Sequence, residues 1–319
     1  MLDVVALGEL RIDFTSQSTD ADGYPTMAAH PGGAPANFLA ALASFGAKTA
    51  LLGKIGQDSF GHLLQSTLEK AGIDTRGLVQ AQDVFTTLAF VTLDKQGDRE
   101  FSFARKPGAD TCLTFDELDL SLIDEAWAFH FGSLSLTDEP ARSATRQAVQ
   151  YAKKQGKLVT FDPNLRPPLW HDLRDAKEQI LWGLTQADVV KLSDEEARFL
   201  FDLPPQEAAG YILENFGVKL VFVTCGAQGC YYRNRNACGH VPSLSGIRVV
   251  DTTGAGDIFG GSALWQLLQA DCPPDALSDT QLRQITHFAC TSAGLSTTRP
   301  GGISSVPTLS EIVALTSCR

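Results

Sequence analysis

Short apolar runs suited to β-strands alternate with stretches of helical period through most of the chain. Residues 4–7 read as a first strand, followed by a helix over 35–45, a strand over 49–55 and a helix over 60–71. The pattern returns as 141–155 then 157–161, 176–185 then 189–192, and 205–216 then 220–224. Such alternation predicts an α/β protein with a parallel sheet. Two regions do not fit it. Residues 86–94 and 99–105 flank Lys95-Gln96-Gly97-Asp98, which predicts a β-hairpin, and the segment from Leu10 to about Thr26 is extended and rich in turn formers. Together, residues of about 10–32 and 84–110 predict a small β-structured lid over one edge of the sheet. No repeat, low-complexity tract or long linker interrupts the 319 residues, so a single domain over 1–319 is expected.

Composition narrows the partners. A hydrophobic content of 44% is enough for a large core, and no stretch has the uninterrupted apolar length of a membrane span. Met1-Leu2-Asp3-Val4-Val5-Ala6-Leu7-Gly8 lacks a basic leader and reads as a strand, so a cytoplasmic protein is expected. The formal charge of -11, without a Lys/Arg run, argues against nucleic acid or anionic membrane as partner. Seven cysteines, at 112, 225, 230, 238, 272, 290 and 318, show no C-x-x-C spacing, which disfavours a disulfide framework or a zinc site.

The candidate chemistry clusters where strands end. Asp251-Thr252-Thr253-Gly254-Ala255-Gly256-Asp257 runs from an expected strand end at Val249-Val250 into a helix over 258–269. Backbone N–H groups of Gly254, Ala255 and Gly256 at such a helix start can hold the charge of a transferring phosphoryl group, and Asp257 can take the proton of an attacking hydroxyl. The same residues equally suit an ordinary capped turn. Pro31-Gly32-Gly33-Ala34-Pro35-Ala36-Asn37 opens another helix, with glycines that admit a ligand and an Asn37 that offers both donor and acceptor to a polyol, or else bonds local backbone. Asp13 follows the first strand, at the carboxyl edge where open α/β sheets bind ligands. Asp162-Pro163-Asn164-Leu165-Arg166 lies past another strand, with Arg166 either neutralising a phosphate or pairing with the aspartate of its loop. Ser193-Asp194-Glu195-Glu196 reads as a capping box or as a start at which Glu196 reaches Mg²⁺ through water. Thr224-Cys225-Gly226 ends a strand and reads as a nucleotide contact, with Cys225 a small buried apolar residue. No G-x-G-x-x-G follows a strand, which weakens a dinucleotide reading, and the six histidines occur singly, so none is assigned to catalysis.

In this order the motifs resemble the PfkB, or ribokinase-like, carbohydrate kinase family over essentially the whole chain. Gly32-Gly33-Ala34-Pro35-Ala36-Asn37 continuing to Gly56, and Asp251 to Asp257, match its two signatures. Within the family the chain is most similar to bacterial fructokinases, on Gly8-Glu9-x-x-Ile12-Asp13-Phe14, Pro107-Gly108-Ala109-Asp110, Asp162 to Arg166 and Ala187 to Ser193. The resemblance implies a three-layer α/β/α fold with a mostly parallel central sheet, and transfer of the ATP γ-phosphoryl group to a primary hydroxyl, O6 of D-fructose first. Aminoimidazole riboside, ribose and 2-keto-3-deoxygluconate are alternative acceptors, and a non-catalytic sugar-binding relative is the alternative of another class.

By the same resemblance Asp257 is the base, the Gly254, Ala255 and Gly256 amides the anion hole, and Arg166 a phosphate neighbour. Asp13, Gly32, Gly33, Asn37 and Asn164 hold the sugar, with Phe101, Phe103 and Arg105 closing from the lid. Lys191, Ser193, Thr224, Gly226, Gly229, Cys290 and Thr291 border the nucleotide. Glu196 meets Mg²⁺ through water, and Asp251, Thr253 and Gly302 border a K⁺ site. Ile258 and Ser262 depart from the commoner small residues and are expected to alter packing. The implied assembly is a homodimer through the lid.

Overall fold

A computed structural model describes residues 1–93 and 99–316. The Lys95–Asp98 turn and Cys318 lie outside the described residues. In chain order the elements are β1 (Leu2–Leu7), β2 (Arg11–Thr19), β3 (Pro25–Gly32), α1 (Ala34–Ser44), β4 (Thr49–Gly56), α2 (Ser59–Lys70), β5 (Ile73–Asp74), β6 (Leu78–Ala81), β7 (Thr87–Leu93) and β8 (Arg99–Ala104). There follow α3 (Leu120–Glu125), β9 (Ala126–Gly132), α4 (Ala141–Lys154), β10 (Leu158–Asp162), α5 (Leu173–Gln186), β11 (Val189–Ser193), α6 (Asp194–Phe201) and α7 (Pro205–Phe216). The chain closes with β12 (Leu220–Thr224), β13 (Cys230–Asn234), β14 (Cys238–Val241), α8 (Ala255–Leu268), α9 (Asp279–Ser296) and α10 (Leu309–Thr316).

The main sheet runs β14-β13-β12-β11-β10-β9-β1-β4-β5, with β6 also on β4. Its pairings from β12 through β1 to β4 and on to β5 and β6 are parallel, and β13 and β14 add an antiparallel edge. Period-two alternation feeds two cores. Val5, Leu7, Val221 and Val223 pack with α4, α5 and α7, whereas Val4, Ala6, Leu220 and Phe222 pack with α1, α8 and α9. Strands buried on both faces therefore carry the continuous apolar runs seen in the sequence. The sheet lies between two helical layers, and its carboxyl edge collects the ends of β1, β10, β11 and β12.

A second sheet, ordered β3-β2-β7-β8, is the small lid. Arg11 pairs with Gly32 across the β2–β3 hairpin and with Thr87 on β7, so residues far apart in sequence share one strand neighbourhood. Phe14 stacks on its cross-strand neighbour Phe90 at 5.3 Å and fixes the sheet to the body by packing edge-on against Phe60 of α2, ring centroids 5.4 Å apart. One expectation fails: Val249 and Val250 form no strand. They are exposed loop residues, and Val250 N–H is tied to the Thr297 carbonyl at 2.7 Å. Two apolar residues without a partner edge do not make a strand.

Asp58 couples α2 to the chain entering the lid. Its carboxylate accepts from Phe60 N–H (2.9 Å) and Gly61 N–H (2.8 Å), and also from Thr86 N–H (2.8 Å) and Thr86 Oγ1 (3.0 Å). Burial alone would raise this carboxyl, but the bonds from Thr86, Gly61 and Phe60 outweigh it and hold it below the usual carboxylate range. Asp58→Ala is expected to cost about 1–2 kcal/mol in urea unfolding. Since the folded value is depressed, that stabilisation is present above the ordinary carboxylate pKa and disappears as pH falls through the folded value, and Asp58→Asn should lack this slope.

Candidate active site

A cleft of about 690 Å³ opens between the carboxyl edge and the small sheet, lined from one side by Arg11, Asp13, His30 and Gly32 and from the other by Asn164, Arg166, Asp251, Gly254 and Asp257. Its volume is that of a small-molecule site. Gly254 caps α8 with φ 75°, a left-handed turn that brings the chain from the loop into the first helical turn. That turn ends on Asp257, which is buried. Asn37 Nδ2, from α1, donates to Asp257 Oδ2 at 2.9 Å, and Asn164 Nδ2, from the loop after β10, donates to Oδ1 at 2.5 Å. Asn164 reaches this position with φ 48°, which asparagine tolerates, while its own N–H bonds Asp162 Oδ1 at 3.2 Å. At α1, Gly33 has φ 140° and lies so close to the Glu9 carbonyl that a Cβ would fall 2.4 Å from that oxygen.

Behind Asp257 is a buried charge cluster. Lys191 Nζ lies 2.9 Å from Asp162 Oδ2, and a Cβ on Gly256 would fall 2.9 Å from the same nitrogen. Burial opposes the charge on Lys191, but Asp162, Glu196 and Asp257 surround it with carboxylates and raise its pKa. Burial pushes the Asp162 carboxyl above the usual range, Lys191 pulls it down, and Glu196 and Asp257 push it up again. Glu196 accepts from Leu165 N–H through Oε1 and from Ser193 N–H through Oε2, both at 2.7 Å, while Ser193 Oγ accepts from Glu196 N–H at 3.1 Å. The capping box is therefore real. His130, stacked on Phe38 with centroids 3.7 Å apart, is driven down to about 3 by burial and then by Lys191, so it stays neutral.

Several residues keep other company than the sequence implies. Arg105 does not line the cleft: its guanidinium is buried, bonded to Asp110 at 2.7–2.8 Å, Thr137 Oγ1 at 2.9 Å and the Leu134 carbonyl at 2.8 Å. It braces the exit of β8 against the body, because a buried guanidinium takes the nearest carboxylate. Lys191 faces Asp162 rather than open space. Thr291 is buried on α9 with its hydroxyl on the His287 carbonyl at 2.8 Å, and the buried Cys290 thiol is pushed up to about 12 by burial, then by Cys225. Gly229 is packed under the β13–β14 hairpin, where a Cβ would meet the Val241 carbonyl at 2.1 Å. Ala255 N–H closes a turn onto the Thr252 carbonyl at 3.3 Å. Gly226 is exposed, and Thr224 and Ser193 stand at strand ends. Phe101 lies in β8 in register with Val91, and Phe103 two residues on is half-buried. Arg166 is exposed and pairs with no carboxylate among the described residues, so its loop is held by Lys191–Asp162 instead.

The metal sites can be tested by their donors. Among the described residues no three His, Cys, Asp or Glu side chains group to hold an ion. A Mg²⁺ carried by nucleotide phosphates needs no such cage, and each Glu196 oxygen keeps a lone pair for a water, so the residues fit an outer-sphere contact. Asp251 accepts from Thr253 N–H (2.9 Å), Thr253 Oγ1 (2.7 Å) and Gly301 N–H (2.9 Å), which brings the loop at Gly302 beside the α8 start. Sequence reading passed over Glu9 and Arg11, whose position in the cleft depends on the β2–β3 pairing.

The profile of the "pfkB family carbohydrate kinase" matches residues 1–309. The chain belongs to the pfkB family of carbohydrate kinases. It is similar to Fructokinase-1 of Zea mays, 42% identical over 98% of this chain and 97% of that one. Among solved structures it is similar to a fructokinase with bound ATP from Xylella fastidiosa, at 32% identity and TM-score 0.91 with 99% of each chain covered. It also resembles a Vibrio cholerae O395 fructokinase holding fructose, ADP and calcium ion, at 31% identity and TM-score 0.86 with 98% of each chain covered. These overlays carry the α/β/α fold with its small sheet over the whole length.

In this kinase the Lys191–Asp162 pair is a stability element directly behind Asp257. Lys191→Met is expected to cost about 3–5 kcal/mol in denaturant unfolding, because it strands a buried carboxylate. Lys191→Met combined with Asp162→Asn should recover much of that loss, and a double-mutant cycle measures it.

Proposed function

We propose that the protein transfers the γ-phosphoryl group of ATP to a primary hydroxyl of D-fructose, forming fructose 6-phosphate. The observation that carries this reading is Asp257: a buried carboxylate at a helix start, oriented by two side-chain amides and open to a cleft of sugar size. Support for the acceptor comes from the relatives described as fructokinases and from the similar structure that holds fructose.

In this mechanism the acceptor hydroxyl approaches Asp257, which takes its proton as the new bond to the γ-phosphorus forms and the bond to the bridging oxygen of ADP breaks, releasing ADP. The Gly254 and Gly256 N–H groups at the α8 start and the exposed Arg166 face the charge that spreads over the transferring group. Asp13 and Asn37 orient the sugar, Gly32 and Gly33 let it approach the backbone, and the small sheet excludes water that would otherwise accept the phosphoryl group. The nucleotide lies along the ends of β11 and β12, at Ser193, Thr224 and exposed Gly226. Glu196 would hold, through water, a Mg²⁺ carried by ATP, which would supply charge neutralisation. Asp251, Thr253 and Gly302 would hold a monovalent cation, K⁺ in our reading. We place the enzyme in the cytoplasm as one domain, and as a homodimer through the small sheet, whose outer strands are β3 and β8.

An ADP-release assay with Mg²⁺-ATP and K⁺ against fructose, ribose, glucose, aminoimidazole riboside and 2-keto-3-deoxygluconate tests the acceptor. Fructose is expected to give the highest kcat/KM, and a different best sugar would overturn the assignment. Asp257→Asn should lower kcat about 10²–10⁴-fold with unchanged unfolding. A variant keeping a tenth of wild-type turnover, roughly, would remove Asp257 as the base.

A further inference from the structure

The wall of the cleft opposite Asp257 carries a guanidinium to which the transfer chemistry gives no task. Arg11 and Asp13 are two residues apart on β2, so their side chains leave the same face of the small sheet, and both line the cleft. Arg11 Nε donates to Asp13 Oδ1 at 2.7 Å, and Nη1 lies 3.6 Å from Glu9 Oε1. Glu9 is buried and fixed in turn, its Oε1 accepting the Ala34 N–H at 2.9 Å. The guanidinium thereby bridges the first strand of the small sheet and the start of α1. Asp13 Oδ2 lies over Gly32, where a Cβ would approach it to 2.7 Å. Both carboxylate oxygens thus have set positions, while no described residue accepts a hydrogen bond from Arg11 Nη2.

We propose that Arg11 determines acceptor selectivity by forming a donor–acceptor couple with Asp13 that reads two neighbouring oxygens of a neutral sugar. One hydroxyl donates to Asp13 and the adjacent oxygen accepts from the guanidinium. A carboxylate alone is only an acceptor and takes any hydroxyl within reach. Locked to a fixed donor, it requires a second oxygen at a matching distance, and an acceptor lacking that oxygen leaves an N–H unpaired. The ligand class is a polyhydroxylated sugar rather than a sugar acid, since Glu9, Asp13 and Asp257 outnumber Arg11 and Arg166 around the cleft.

The inference rests on the sugar-kinase reading for its acceptor, and its test compares wild type with Arg11→Met and Arg11→Lys on fructose and its 3-deoxy and 4-deoxy analogues. Arg11→Met is expected to raise KM for fructose on the order of tenfold, with kcat and the KM for ATP within about threefold of wild type. Its preference for fructose over one deoxy analogue should shrink by about tenfold. Lysine should restore part of the affinity without the discrimination, since it lacks the planar fork. If the preference is unchanged, or kcat falls while KM stays constant, Arg11 is a structural brace and the proposal fails. Should Arg11→Met not fold, Arg11→Gln carries the same comparison. If wild type prefers another sugar, the fructose assignment fails by itself, and the Arg11 comparison is run on that sugar and its deoxy analogues.

Discussion

The site depends on one constraint: a buried carboxylate must stay correctly aimed without being neutralised. Asp257 satisfies it with two amide donors from elements far apart in sequence, Asn37 on α1 and Asn164 after β10. Neutral donors fix its orientation without placing a cation on it. Every major feature of the fold serves that meeting. The parallel sheet brings strand ends to one edge, α8 starts there, and α1 packs beside it on the same face of the sheet.

Charge is balanced at one remove. Lys191 answers to Asp162, Glu196 and Asp257 from behind the helix start, so the cluster holds a cation whose direct ion pair is with Asp162. The loop after β10 hangs on this arrangement through the Asp162 side chain and through Leu165 N–H on Glu196. The same carboxylate that caps α6 thus also fixes the loop carrying Asn164 and Arg166. Ile258 and Ser262 sit within packing: Ile258 is fully buried, and Ser262 Oγ donates to Ser292 at 2.8 Å.

Much of this was legible in the chain because local signals and tertiary demands coincide. Helix α7 and strand β12 have the bounds their patterns predict, since apolar periodicity there is unbroken. The central strand β9, Ala-Trp-Ala-Phe-His-Phe-Gly, escaped notice because a strand buried on both faces gives no alternation, and His130 interrupts its apolar run. Helix α9 escaped because its first turns are polar. The signatures located Asp257, Asn37 and the α8 start, but not their partners: which carboxylate a buried cation chooses depends on sheet register. Arg105 on Asp110 and Lys191 on Asp162 are of that kind, and neither pairing follows from sequence spacing.

The two amides around Asp257 also make the protein vulnerable to chemical ageing at particular atoms. Hydrolysis of the Asn37 or Asn164 side chain would leave its shape almost unaltered while turning a donor into a second carboxylate against the first. Packing would scarcely register the change, but the aim of the Asp257 carboxylate would be lost to like-charge repulsion. Both positions are buried, one inside a helix and followed by Phe38, the other in a left-handed turn followed by Leu165. The fold thus shields from water the two bonds whose slow loss would silence it without unfolding it.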